Sequence, residues 1–144
     1  SDASRDFPEE ELRDIAQQAG RNNVRQGITG ALLFIHNSFI QIIEGRDTDI
    51  RVLLDTLEKD ARHRNIRVLL DRYVEHRGFE HWSMGLVTAS ELDSFQVIQE
   101  IDLVCSASAA ADKNAMIFPE SQTFVMMQRV YETNASLQRA RGGL

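Results

Sequence analysis

The chain has 144 residues, 42% of them hydrophobic and 26% charged, which is one ordinary globular domain able to bury about two-thirds of its unfolded surface. Two Pro and eight Gly exclude a collagenous or low-complexity chain, and the longest apolar run, Ala31–Ile35, falls far short of the ~18 residues of a membrane helix. A formal net charge of −6 speaks against nucleic acid as a main partner, because phosphate binding rests on clustered cations. No signal-peptide pattern stands at the front, and the single cysteine, Cys105, cannot close an internal disulfide, so a reducing, cytoplasmic location is expected.

The chain opens on a polar stretch, SDASRDFPEEE, that reads as a loop with no strand in front of it. Pro8 followed by Glu9, Glu10 and Glu11 then predicts a helix first turn, with preset φ and carboxylates at the positive end of the dipole. Leu12, Ile15, Ala16 and Ala19 form one apolar face, Glu9 and Arg13 an exposed i,i+4 pair, and Gly20 a natural stop. Two aliphatic runs, Thr29–Ile35 and Phe39–Glu44, flank His36-Asn37-Ser38 and predict an antiparallel hairpin. Asp47 or Thr48 is expected to cap a second helix that buries Ile50, Leu53, Leu54 and Leu57. Asn65–Tyr73 and Trp82–Thr88 are the next two strand candidates.

Beyond them, Leu92, Phe95, Ile98 and Ile101 mark an amphipathic helix over Ser90–Val104. Ser106–Ala111 is a small-residue connector, and a further helix over Glu120–Leu137 carries Phe124, Met127, Val130 and Tyr131. The tail Gln138–Leu144 is expected to be loose. With one strand added in front, the first part reads βαββαββ, an α+β, ferredoxin-like sheet with both helices on one face, followed by two C-terminal cap helices. The expected division is 1–89 for the sheet domain, lacking its first strand, 90–137 for the helical cap and 138–144 for the tail.

Within this frame Gln41 is the unusual residue. It sits in an aliphatic strand and shares a face with Phe39 and Ile43, so its amide points into apolar surroundings. A buried amide without a partner costs roughly 1–3 kcal/mol, so either the backbone or a ligand must meet it. Asn22 and Asn23 suit a loop or C-cap. Ile15 and Leu57 suit a core. Arg62 and His63 suit the negative end of a helix dipole, and Trp82 and Met84 alternate onto one face of the last strand. His36, His76 and His81 show no metal-ligand spacing and read as surface residues; no metal is expected.

Four segments in order resemble the BLUF family of flavin-binding blue-light sensors: NNVRQGITG from Asn22, FIQIIEG from Phe39, DARH from Asp60 and FEHWSM from Phe79. The likeness runs from about Ser1 to Val87, and the two C-terminal helices resemble the cap of short, stand-alone members. It implies a flavin, by the family's usual choice FAD, lying between the two helices with Ile15 and Leu57 on its faces. It implies Gln41 as the switching glutamine beside flavin N5 and C4=O, and Asn23, with Asn22 beside it, facing C4=O and N3. Arg62 and His63 fall near the pyrimidine edge, with Asp60 as a supporting acceptor. Trp82 and Met84 become the residues that exchange places near Gln41 and report its state.

The family also carries a tyrosine in a Tyr-x-Ser pattern on its first strand, the donor of an electron and a proton to the excited flavin. Ser1 matches that serine, which puts the tyrosine two residues before Ser1; Tyr73 and Tyr131 stand elsewhere. An interior strand cannot be lost without leaving two rows of buried backbone groups unpaired, each costing about 1–3 kcal/mol. The reading therefore expects residues ahead of Ser1 in the molecule.

The functional expectation is a non-enzymatic blue-light sensor that signals through the last strand and the cap helices to a protein partner. A homo-oligomer is expected, and a response-regulator-like partner is implied by the resemblance. The alternative is a light-insensitive flavin-binding or oligomerisation module. A small hydrolase of the acylphosphatase kind would find Arg5 near the first helix but no Gly-rich anion cradle, and no nucleophile–base pair is legible.

Overall fold

The computed structural model describes residues 1–87, 125 and 127–129. The elements run β1 (Asp2–Ala3), α1 (Glu9–Gln26), β2 (Thr29–Ile35), β3 (Ser38–Glu44), α2 (Asp47–Glu58), β4 (His63–Arg64) and β5 (Gly85–Val87). They build one sheet in the order β4-β1-β3-β2-β5, the expected ferredoxin-like arrangement with a fifth strand added parallel to β2. Every other neighbouring pair is antiparallel. The β1-α1-β2 and β3-α2-β4 crossovers join parallel strands that run in opposite directions, so right-handed connections bring both helices to one face.

The opening stretch differs from expectation, since Asp2 and Ala3 do form a strand. They lie inside the sheet, where Ala3 N–H donates to Asn37 O at 2.9 Å and Ser4 N–H to Arg62 O at 2.9 Å. The predicted strand Asn65–Tyr73 does not form. β4 ends at Arg64, and Asn65 turns the backbone away with φ 48°. Of the expected last strand, Trp82–Met84 stay outside the pairing, and Gly85–Val87 pair with Ala31–Leu33 of β2.

Gly20 does not stop α1. The helix runs two turns further and ends at Gly27, whose φ of 62° is the left-handed conformation that closes a helix and turns its N–H back to Asn23 and Val24 carbonyls. Gly20 instead answers a close approach: a Cβ there would lie 2.9 Å from Ser83 Oγ. The hairpin turns through two residues, His36 and Asn37, with φ 48° and 58°, a pair of left-handed residues that matches the strand twist. α2 begins as expected, except that Arg46 rather than Asp47 or Thr48 is the boundary residue; Asp47 instead accepts a hydrogen bond from Arg51.

Leu12, Ile15 and Ala16 of α1 pack with Ala3, Phe7, Leu32, Phe39 and Met84 in a buried cluster. Phe7, Phe34 and Phe39 meet ring to ring in it, at 5.1–6.1 Å between centroids. The chain divides into two compact units. One comprises Ser1–Arg67 and the chain from Val74 through β5; the other takes in Val68–Tyr73 and the described residues of the C-terminal region. In that region residues 125 and 127–129 are helical and Met127 is buried, in line with the expected 120–137 helix; the rest of the predicted cap and tail lies outside the described residues.

Candidate functional site

The pleat decides which β3 side chains face the helices. Phe34↔Phe39, Leu32↔Gln41 and Gly30↔Ile43 are directly opposed, and opposed residues share a face. Leu32 and Phe39 belong to the cluster beneath α1, and Ile43 and Phe34 pack against it. Gln41 therefore projects on the helix-covered face, half-buried among apolar neighbours, as the alternation predicts. Among the described residues its side-chain amide has no hydrogen-bond partner.

Asn23 reaches the same region from α1. It lies in the helix's last turn rather than in a loop after it, and only 1% of it is exposed. Its Nδ2 donates to Ser83 O at 2.7 Å, while its Oδ1 is buried with no partner among the described residues. Asn22, one residue earlier and about 100° round the helix, faces solvent; consecutive helical residues cannot both look into one slot. Ile15 is buried in the α1 cluster.

α2 presents a contrast. Ile50, Leu53, Leu54 and Leu57 form its apolar stripe, yet all four are only half-buried and no residue of α2 is fully buried. The expected burial of this face is thus incomplete. Past the end of α2, Asp60 grips Arg62: Nε donates to Oδ1 at 2.9 Å, Nη2 to Oδ2 at 2.6 Å, and the Arg62 backbone N–H to Oδ1 at 2.9 Å. These bonds hold the Asp60 carboxyl below the usual carboxylate range and push Arg62 up. Arg62 Nη1 then donates to Gln18 Oε1 on α1 at 3.3 Å, tying the two helices at one end. Gln18 is a participant that the sequence reading missed.

His63 lies further in. Its ring is 4.6 Å from that of Phe39, and Nδ1 makes a 2.9 Å hydrogen bond with Ser1 Oγ. Burial pushes its pKa down, against the opposing pull of Asp60.

Trp82 and Met84 do not share a face as alternation predicts, because both precede β5 and lie outside the regular pleat. Met84, 9% exposed, joins the cluster beneath α1 with Ile15 and Leu32. Trp82 lies on the reverse side. A Cβ on Gly85 would fall 1.9 Å from its ring, and Gly85 is paired with Ala31, which faces away from Leu32. The Trp82 ring stacks on buried Phe79 at 6.5 Å, and its carbonyl accepts from Gly30 N–H at 2.8 Å.

His36, His76 and His81 are exposed as expected, and among the described residues no group of three His, Cys, Asp or Glu could hold a metal. Arg5, the residue that a phosphate-handling reading needs, is paired with Glu11 and lies over the Phe7 ring. Among the described residues no helix is long and apolar enough to cross a membrane.

The arrangement fits an isoalloxazine. A planar, largely apolar ring needs apolar walls and a few amide partners at its polar edge. The half-buried stripe of α2 can supply a wall. The unpartnered Asn23 Oδ1 suits a ring N–H, and the Gln41 amide can both donate and accept.

Comparison with known proteins agrees. The pattern of the BLUF family, described as sensors of blue-light using FAD, matches residues 1–85. The blue light- and temperature-regulated antirepressor BluF of Escherichia coli (strain K12) is 29% identical over 96 residues, which are 67% of this chain and 24% of that protein. The dark-state structure of BlrB, a BLUF protein, matches with a TM-score of 0.65 at 28% identity, covering 80% of this chain and 88% of that one. A bacterial light-regulated adenylyl cyclase matches with a TM-score of 0.64 at 28% identity, over 76% of this chain and 32% of the cyclase. The chain thus spans about a quarter of the length of its Escherichia coli relative.

Proposed function

The chain belongs to the BLUF family of sensors of blue-light using FAD, and on that premise we propose that it is a non-enzymatic blue-light sensor with FAD bound between α1 and α2. The observation that carries this reading is the buried, unpartnered Asn23 Oδ1, set on the same side of the sheet as the unpartnered Gln41 amide. A buried acceptor left without a donor costs about 1–3 kcal/mol, and a ring N–H removes that cost.

A bound flavin would supply absorption of blue light and an excited state able to accept an electron. The chain's own residues do the rest. Asn23 holds the ring edge by Oδ1 while Nδ2 stays on Ser83. Gln41 donates or accepts according to how its amide is turned, and that choice is the switch. Ile15 and Leu57 line the ring's faces. Asp60 orients Arg62 toward the polar edge, and His63 stands beside it near that edge, against Phe39.

Met84 lies in the same cluster as Leu32, the residue opposite Gln41, so a turned amide acts directly on Met84, and Trp82 reports the change from the reverse face. Light shifts a population between two arrangements, and a partner must bind them unequally for a signal to pass. A protein partner is in keeping with the Escherichia coli relative being an antirepressor. We place the protein in the cytoplasm on its single cysteine and as a homo-oligomer on the apolar pattern expected of residues 90–137, with a response-regulator-like partner implied only by the resemblance to short BLUF proteins.

The test is an absorption spectrum of the flavin-loaded protein, in darkness and after blue light. Flavin bands that move slightly to the red and recover in darkness support the sensor. A protein that stays colourless after reconstitution, or yellow without a shift, overturns it. Chromatography of the released flavin tests FAD against FMN.

A further inference from the structure

Gln41 has a counterpart on the back of its own strand. Glu44 is three residues along β3, an odd step, so its side chain projects from the face opposite to Gln41. There its carboxylate accepts two consecutive backbone N–H groups, Gly78 at 2.7 Å through Oε1 and Phe79 at 3.0 Å through Oε2. Thr29 Oγ1 approaches Oε2 at 3.4 Å, and Arg77 Nη1 donates to Thr29 Oγ1 at 3.2 Å. The gripped turn leads straight to the tryptophan: Trp82 N–H donates to Phe79 O at 3.0 Å, and the two rings stack.

Resting on the sensor reading above, we infer that Glu44 is a positioning residue that couples β3 to the Trp82 turn. Two hydrogen bonds from adjacent amides to one ionised carboxylate are stronger than neutral ones and fix direction as well as distance. A displacement of β3 at Gln41 is carried through three residues of strand to Glu44, and Glu44 passes it to Gly78 and Phe79. Phe79 is fully buried, so its ring and the Trp82 ring stacked on it move as one body. The coupling uses the reverse face of the sheet and requires no contact between Trp82 and the flavin.

Trp82 is the sole tryptophan of the chain, so tryptophan emission originates in this turn alone and the position of its maximum reads the turn's environment. The experiment compares flavin-loaded wild type, Glu44→Gln and Glu44→Ala in darkness and under blue light, reading the flavin bands and the Trp82 emission together. Far-UV circular dichroism and flavin stoichiometry establish that each variant is folded. Amide hydrogen exchange in darkness adds a direct reading of the grip.

All three proteins are expected to show the same light-induced flavin shift. The light-minus-dark change in Trp82 emission is expected to vanish in Glu44→Ala and to be partly kept in Glu44→Gln, which retains one acceptor oxygen. Exchange at Gly78 and Phe79 is expected to quicken about 10- to 100-fold in Glu44→Ala. A wild-type Trp82 response in folded Glu44→Ala overturns the inference; if only Glu44→Gln folds, a full wild-type response in it does so. Loss of the flavin shift together with the Trp82 change also overturns it, since Glu44 would then act on the flavin site itself. If the wild type shows no flavin shift, the sensor reading falls. The dark measurements then decide the grip alone: unchanged exchange or unchanged dark Trp82 emission in the variants overturns it.

Discussion

α1 and α2 carry similar amphipathic patterns and meet different fates. α1 buries Leu12, Ile15, Ala16, Gly20 and Asn23, whereas α2 buries nothing completely although it offers Ile50, Leu53, Leu54 and Leu57. A helix's apolar face normally repays its ordering entropy by packing on protein, as α1 does on Leu32 and Phe39. The stripe of α2 is left only half-covered. On the proposed reading, one helix serves the fold first and the ligand through Asn23, and the other serves the ligand first.

That contrast breaks or sharpens under substitution. The largest effect is expected from Ile15→Ala, which empties a buried position in the α1 cluster and should cost about 2–4 kcal/mol in denaturant unfolding already without flavin. Equal stability of the variant and the wild type would mean that α1 is no more committed to the core than α2.

Asn23→Ala comes next. It removes both the unpartnered acceptor and the bond to Ser83, so flavin affinity in an absorbance titration should fall about 10- to 100-fold. Unchanged affinity would leave the buried oxygen without its assigned purpose. Leu57→Ala should behave as the mirror image of Ile15→Ala. Without flavin its cost should be about 1 kcal/mol or less, because the side chain is only half-buried. With flavin in excess the gap from wild type should widen, since a weaker site receives less stabilisation by mass action. A stability loss that ignores flavin would return Leu57 to the core.

The smallest effect concerns pH. Burial holds the His63 pKa below its ordinary value near 6.5. Such a histidine contributes its stability in full above the unfolded pKa, and the contribution is lost as pH falls from there through the folded value. The thermal midpoint should therefore decline from about pH 7 toward about pH 5, and His63→Gln should remove that part of the slope. Asp60, held low by Arg62, acts in a more acid window and leaves this one clear. An identical slope in the variant would show that His63 is not the group responsible.

Much of the site was legible because it is local. Gln41 stood out as an amide in an aliphatic strand, and period-2 alternation placed it on the correct face. Asn23 was noticed for its pattern but misplaced in a loop, because Gly20 looked like a helix stop. Gly20 is instead a point of close approach to Ser83, more than sixty positions along the chain, which propensity does not register. Glu44 lay in plain view within FIQIIEG and carried no assignment. Its partners are the amides of Gly78 and Phe79, and a backbone donor leaves no signature in the residue type. The Arg62–Gln18 tie escaped for the same reason of distance.

By itself the sequence determined the fold class, the hairpin, the two amphipathic helices and the family, since these follow from periodicity, turn chemistry and motifs read over a few residues. Only the tertiary structure decided which polar atoms are left over: Asn23 inward and Asn22 outward, Met84 beneath α1 and Trp82 on the reverse face. It also decided that β4 ends at Arg64, where Asn65 turns the backbone with φ 48°, a conformation that no periodicity in the sequence announces. Local patterns specify what an element can be, while long-range pairing and packing select the side chains it turns to function.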